Sequence, residues 1–391
     1  MSEEKIFDNT EIAFKLKSDS ELERAYFIFK MISSQPLVKI GTAATNFALK
    51  ANLPVEGLIR STVFDHFCGG TDEIDCLPVI EKLYDGGVSS VLDYSIEGKE
   101  SERQFDETML RIIKIIEFSK SKPSLPIVVF KPTGFGRFSL YEKKSNKTSL
   151  TELEELEWSR VESRFDKVCQ RAFEENVEVL IDAEESWMQD AADELVEKMM
   201  MKYNKESVIV FNTLQTYRWD RLDYLKSIHE RGQELGFKIG FKIVRGAYME
   251  KERKRASELG YNPPICINKS ATDKSFNGSM IYILENIKDF GLFIGTHNEE
   301  STYLAIEKMK SIGISKNDNS VWFGQLYGMS DHISFNLAKA GYNVAKYLPF
   351  GPVKDVMPYL IRRAEENTSV AGQTTRELKL LEQERKNRRL D

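Results

Sequence analysis

A chain of 391 residues, 41% hydrophobic and 30% charged, can bury a large core, either as one α/β barrel with extensions or as two ordinary domains. Its formal net charge of -6 at pH 7 argues against a phosphate backbone as the main partner, so no nucleic acid is expected. No apolar run approaches the roughly 18 residues that a membrane span requires.

The opening stretch MSEEKIFDNTEIAFKLKSDSELERAY carries acids early and no apolar segment, so neither a secretory signal nor a transit peptide is expected, and the protein is placed in the cytoplasm. Residues 11–52 show helix-like apolar spacing, and residues 1–85 read as an N-terminal helical extension. Cys68, Cys76, Cys169 and Cys266 form no CxxC pair and read as reduced thiols. His66, Cys68 and Cys76 match no common zinc spacing, so a structural role is expected and no metal.

From Ser89 onward, short β-branched runs alternate with amphipathic stretches, the signature of a parallel sheet. The runs are SSVLDYSIE, PIVVFKPTG, VEVLIDAEE, SVIVFNTLQ, FKIGFKIVRGAY, GLFIGTHN, SVWFGQLYG and YNVAKYLPFG. Helices are expected at Glu100–Ser121, Thr151–Asn176 and Glu299–Ile312, among others. Eight such units and no early GxGxxG turn favour a (β/α)8 barrel over residues 86–372. The segment GFGRFSLYEKKSNKTSL reads as a long loop of functional or gating character. TRELKLLEQERKNRRLD, covering most of the 373–391 tail, reads as a charged terminal helix, because acids interrupt its basic residues.

Barrels of this kind carry their chemistry at the C-terminal ends of the strands. Lys131 falls at the end of the second run, Asp182 and Glu184 at the third, Gln215 at the fourth, and Arg245 and Tyr248 at the fifth. Thr296, His297 and Asn298 follow at the sixth, and Gln325 and Leu326 at the seventh. Lys131 beside Asp182 would give a partly desolvated pair that orders the site. Gly246 and Ala247 would let a flat ligand approach the backbone. Ser330 or Asp331 is expected to cap the helix after LYGM. In MPYLIRRAEEN, Tyr359 shares a helix face with Arg362 and Arg363, and a guanidinium pair fits a small carboxylate. A solvated basic patch paired with Glu365 and Glu366 is the competing reading. There is no GxSxG, HExxH or P-loop, so acyl transfer, zinc hydrolysis and nucleotide-triphosphate chemistry lose weight.

KIVRGAYMEKER, GTHN, FGQLYGMSD and PFGPVKDVMPYLIRRAEEN, in this order, resemble the proline dehydrogenase family, and IVVFKPTG and LIDAEE fit the same family. The resemblance spans roughly Leu92 to Ser369. It implies a (β/α)8 barrel with noncovalent FAD at its C-terminal face, which oxidises L-proline to Δ1-pyrroline-5-carboxylate and passes electrons to a membrane quinone. By resemblance, Arg362 and Arg363 bind the proline carboxylate; Tyr359, Leu326 and Ala247 wall the ring; Lys131 and Asp182 complete the pocket, and Phe350 lies near the substrate. Around the flavin it places Asp182, Gln215, Lys242, Val244, Gly246, Ala247, Tyr248, Thr296, His297, Asn298, Gln325, Glu366 and Ser369. It further implies a separate pyrroline-5-carboxylate dehydrogenase downstream and peripheral contact with the inner membrane. Many members have arginine at the position of Lys242 and tyrosine at that of Phe350, which opens a hydroxyproline or other cyclic imino-acid dehydrogenase as an alternative. A barrel that only binds a ligand is the alternative of another class.

Overall fold

Each β-branched run of the sequence becomes a strand in the computed structural model, which describes residues 5–50, 56–94, 100–369 and 373–390. The strands are β1 (Ser89–Tyr94), β2 (Ile127–Phe130), β3 (Glu178–Ile181), β4 (Val210–Gln215), β5 (Ile239–Val244), β6 (Phe290–Gly295), β7 (Val321–Leu326) and β8 (Val344–Phe350). They close into one barrel in sequence order, β1 pairing with β8 in parallel register from Ser89↔Ala345 to Tyr94↔Phe350. The expected (β/α)8 architecture is therefore present. Most strand residues are buried, as expected of strands covered on both faces.

Helix starts follow local capping chemistry. Ser101 with Gln104 and Thr151 with Glu154 form reciprocal capping boxes that open Glu102–Ser119 and Glu152–Glu175. The same device, Ser18 with Glu21, opens Asp19–Ile32. The helix-like stretch expected over residues 11–52 is accordingly several helices, Thr10–Phe14, Asp19–Ile32 and Gln35–Lys50. The segment read as a long loop after β2 holds a helix, Phe138–Ser145, with Leu140 and Tyr141 buried and the Tyr141 hydroxyl donating to the Pro132 carbonyl at 2.7 Å. Two turns are too few for an apolar period to show in sequence.

The chain divides into two compact units, one of residues 1–96, 297–299 and 324–391, the other of residues 97–296 and 300–323. In the first, one apolar core joins the N-terminal helices (Phe14, Leu22, Phe29), the Val353–Ser369 helix (Val356, Tyr359, Leu360) and the C-terminal Gln373–Asn387 helix (Leu380, Leu381). The basic patch at the C-terminus belongs to a packed helix, two of whose arginines turn toward the N-terminal helices: Arg385 pairs with Glu23 at 2.6 Å and Arg388 donates to the Phe14 carbonyl at 2.9 Å.

This unit also buries charge. Lys346 of β8 has no exposed surface and lies 2.8 Å from Asp331, whose other oxygen is 3.0 Å from Lys17. Burial pushes the Asp331 carboxyl up, but the two ammonium groups outweigh it and hold it well below the usual range. Lys346 also donates to the carbonyls of Met329 and Leu326. Gly328, at φ +77°, offers its carbonyl to the His66 ring at 3.0 Å, and a Cβ there would sit 2.2 Å from the His66 carbonyl oxygen. Burial and the Lys17 charge push the His66 imidazole down to about 3, so a neutral ring serves this structural role. Replacing one member of a buried charge cluster leaves the rest uncompensated, at a cost of about 3–5 kcal/mol. Lys346→Met should lower the urea midpoint accordingly; an unchanged midpoint would show that the ammonium is dispensable to the fold.

Candidate active site

In the unit of residues 97–296 and 300–323, polar groups gather where β2 to β6 end. Lys242 of β5, 5% exposed, forms an ion pair with Asp182, the residue after β3. Lys131, which the sequence put beside that aspartate, is next after β2, and its charge also acts on Glu184. Glu184 is buried and accepts from the Thr133 backbone N–H at 3.0 Å and the Thr133 hydroxyl at 2.9 Å. Burial pushes its carboxyl up to about 7 despite these bonds and the Lys131 charge.

Gln215, ending β4, donates to the Glu184 carbonyl at 2.6 Å and accepts from the Ala247 N–H at 3.2 Å, bracing the turn after β5. Val244 ends β5, and Gly246 follows at φ +134°, where a Cβ would meet the Tyr217 ring at 2.5 Å. Only glycine fits that turn, because the Tyr217 ring packs directly on its Cα. Arg245 is held by Asp273 at 2.8 Å, the Thr296 hydroxyl at 2.8 Å and Ser301 at 2.9 Å. Tyr248 precedes the Met249–Leu259 helix, with the Lys251 ammonium over its ring at 5.3 Å.

In the other unit, the groups sit after β6, at the ends of β7 and β8, and on the Val353–Ser369 helix. His297 follows Thr296 and precedes Asn298. Its Nδ1 lies 2.9 Å from the Ser330 hydroxyl, and the Leu326 N–H points at its Nε2 across 3.5 Å. Burial, then the charges of Lys346 and Arg363, push the ring down to about 3, so it is neutral. An Nε2 facing a donor leaves Nδ1 to carry the proton and donate to Ser330. Gln325 is buried and accepts from the Ser334 hydroxyl at 2.8 Å. Leu326 packs on the apolar core, as does the Tyr359 ring, with the Arg363 guanidinium 5.1 Å from its centroid. Arg362 adjoins Arg363 on the same helix. Phe350 ends β8, fully buried, 5.4 Å from the Tyr94 ring. The side chains of Glu366 and Ser369 lie outside the described residues.

The cap expected at Ser330 differs. Ser330 does precede the Asp331–Lys339 helix, but in left-handed backbone (φ +52°) and without a bond from its hydroxyl to the first turn. That hydroxyl goes to His297 instead. The sequence also passed over Thr133, Lys346 and the pairing role of Asp331. A lysine inside the apolar run VAKYLPF was the available signal for Lys346, because a buried lysine demands a partner.

The sequence pattern of the proline dehydrogenase family matches residues 76–376. The chain belongs to the proline dehydrogenase family. It is 36% identical over 329 residues to the carbapenem antibiotics biosynthesis protein CarD of Pectobacterium carotovorum subsp. carotovorum, covering 84% of this chain and 85% of that one. It is 32% identical over 416 residues to the mitochondrial proline dehydrogenase 1 of Arabidopsis thaliana (94% and 83% covered). It is also 32% identical over 412 residues to the hydroxyproline dehydrogenase of Xenopus laevis (96% and 88% covered). Among solved structures, proline utilization A (PutA) from Bdellovibrio bacteriovorus, inactivated by N-propargylglycine, superposes with a TM-score of 0.72 at 20% identity over 94% of this chain. That likeness concerns the fold alone, and this chain spans 37% of the PutA chain.

Glu184 yields a signed test. Its folded value, about 7, lies above the ordinary 4.5, so its contribution to stability is full below pH 4.5 and is lost as pH rises through 7. Glu184→Gln does not titrate. The melting temperature of the variant relative to the parent should therefore rise between pH 5 and pH 8; a constant difference would place the carboxyl in an ordinary environment.

Proposed function

We propose that the protein oxidises L-proline to Δ1-pyrroline-5-carboxylate with noncovalently held FAD and delivers the electrons to a membrane quinone. The observation that carries this reading is the Arg363 guanidinium stacked on the buried Tyr359 ring, with Arg362 adjoining it, on the helix that follows β8. An aromatic wall beside paired guanidiniums suits a small ring that bears a carboxylate.

The residues fit a flavin. Gln215 holds the turn at Gly246, which packs on the Tyr217 ring, through the Ala247 N–H, and Lys242 brings a buried positive charge. Thr296, His297, Asn298, Gln325, Val244 and Tyr248 are the further candidates to hold the cofactor, with Glu366 and Ser369 on the last barrel helix. Bound FAD would supply a two-electron acceptor for the hydride that leaves C5 of the ring. The protein's own part is positioning and charge. Arg362 and Arg363 take the carboxylate, Tyr359, Leu326, Ala247 and Phe350 confine the ring, and the Asp182–Lys242 pair keeps an ammonium fixed. The ring nitrogen must be unprotonated to release its electrons, so turnover should rise with pH. The product is a cyclic imine in equilibrium with an aldehyde, which a separate aldehyde-oxidising enzyme would consume. Quinone reduction further implies a peripheral membrane encounter; among the described residues no helix is long and apolar enough to cross a membrane.

An anaerobic absorbance spectrum before and after L-proline tests the reading: an oxidised-flavin band should bleach, and a flavin-free protein would overturn it. Arg363→Ala should raise KM for L-proline by about 100-fold, the scale of one lost charge-assisted contact, with the flavin band intact. Oxidation of trans-4-hydroxy-L-proline is the second reading, favoured by the equal 32% identity to relatives of both names and by phenylalanine at position 350. Comparable kcat/KM on both substrates would establish it; a strong preference for L-proline is expected.

A further inference from the structure

The hydroxyl that fails to cap its helix marks a second layer behind the site. Ser330 is fully buried, and its left-handed backbone is one that a residue with a side chain adopts at a cost relative to ordinary helical geometry. What offsets that cost is Glu377. Both oxygens of its carboxylate face the Ser330 N–H, at 2.9 and 3.1 Å. Glu377 lies on the C-terminal helix, is 3% exposed, and stands one residue beyond the segment matched to the family. In this conformation the Ser330 hydroxyl accepts from His297 Nδ1. The neighbouring Arg376 reaches Glu299, two residues past His297, at 2.7 Å, and Glu299 in turn is 3.0 Å from the His332 ring. Two consecutive residues of the terminal helix therefore hold the THN segment, one through Ser330 and one through Glu299.

We infer that Glu377 is a positioning residue for the His297 segment, acting through Ser330 to fix the orientation and tautomer of the imidazole. Without the carboxylate, the Ser330 N–H loses its acceptor and the turn relaxes toward ordinary backbone. The hydroxyl then leaves Nδ1, and His297 no longer pins the end of β7 through Leu326. The functional consequence rests on the flavin reading of Thr296, Asn298 and Gln325: a loosened segment should release the cofactor more readily and leave the carboxylate clamp intact.

The test compares Glu377→Ala, Glu377→Gln and Ser330→Gly with the parent holoenzyme. The glutamine retains an amide oxygen for the Ser330 N–H, and glycine adopts the left-handed turn freely while lacking the hydroxyl. Three readouts are taken: FAD release followed by fluorescence, KM for L-proline, and long-range nitrogen NMR of the imidazoles, of which the chain has 4. Glu377→Ala should weaken FAD binding about tenfold with KM nearly unchanged, glutamine should restore most of it, and the alanine should add nothing in the Ser330→Gly background. The His297 nitrogen signals should move in Glu377→Ala and in Ser330→Gly. A lowered melting temperature with unmoved His297 signals and unchanged FAD release would reduce Glu377 to a structural residue and overturn the inference, as would additive losses in the double variant. If Glu377→Ala does not fold, Ser330→Gly alone decides: unmoved His297 signals and unchanged FAD release would overturn it. A parent protein that binds no FAD would sink the cofactor reading, while the His297 signals would still decide the positioning.

Discussion

Asp331, buried between Lys17 and Lys346, fixes the stretch from Leu326 to the following helix, and much of the first unit is arranged around that constraint. A lysine with no exposed surface survives in β8 only because a carboxylate and two backbone carbonyls receive its ammonium. Those carbonyls belong to Leu326 and Met329, so satisfying the lysine dictates the path of the chain. His66 takes the carbonyl between them, at Gly328. Such a cluster contributes little net stability, because desolvation cancels most of the Coulombic gain. What it supplies is a single allowed conformation, in which Ser330 turns its hydroxyl to His297.

The same unit explains why helices at the two ends of the chain matter to the arginine pair. Tyr359 and Leu360 share one core with Phe14, Leu22 and Phe29 from the N-terminal helices and with Leu380 and Leu381 from the C-terminal one. A ring held on one side by apolar packing can present its other face to Arg363. The placing of the Arg363 guanidinium over that ring is thus backed by contacts made far along the sequence, in what read as an extension and a tail.

Much of this was legible beforehand. All eight strands were readable because buried parallel strands are short β-branched runs, and the groups at their ends followed from the fold. Gly246 and the RGAY turn were readable too, since glycine at a strand end has few reasons to exist. Illegible were the partnerships. Asp182 finds Lys242 60 residues on, Lys17 finds Asp331 across most of the chain, and Glu377 finds Ser330 47 residues back. No local period encodes such pairs. Ser330 misled for a related reason: serine before a helix is a cap by local chemistry, and only the distant His297 redirects its hydroxyl.

The buried carboxylates show how partner number, more than burial, assigns their charge. Asp331 and Glu184 are about equally hidden, yet Asp331 meets two ammonium groups and stays ionised, whereas for Glu184 burial outweighs the Thr133 N–H, its hydroxyl and the charge of Lys131, and the carboxyl rises to about 7. At neutral pH Glu184 therefore spends much of its time uncharged, still bonded to Thr133, and adds little negative charge beside Lys131. The Lys131 ammonium after β2 thus faces a carboxyl that serves mainly as a hydrogen-bonding group to Thr133.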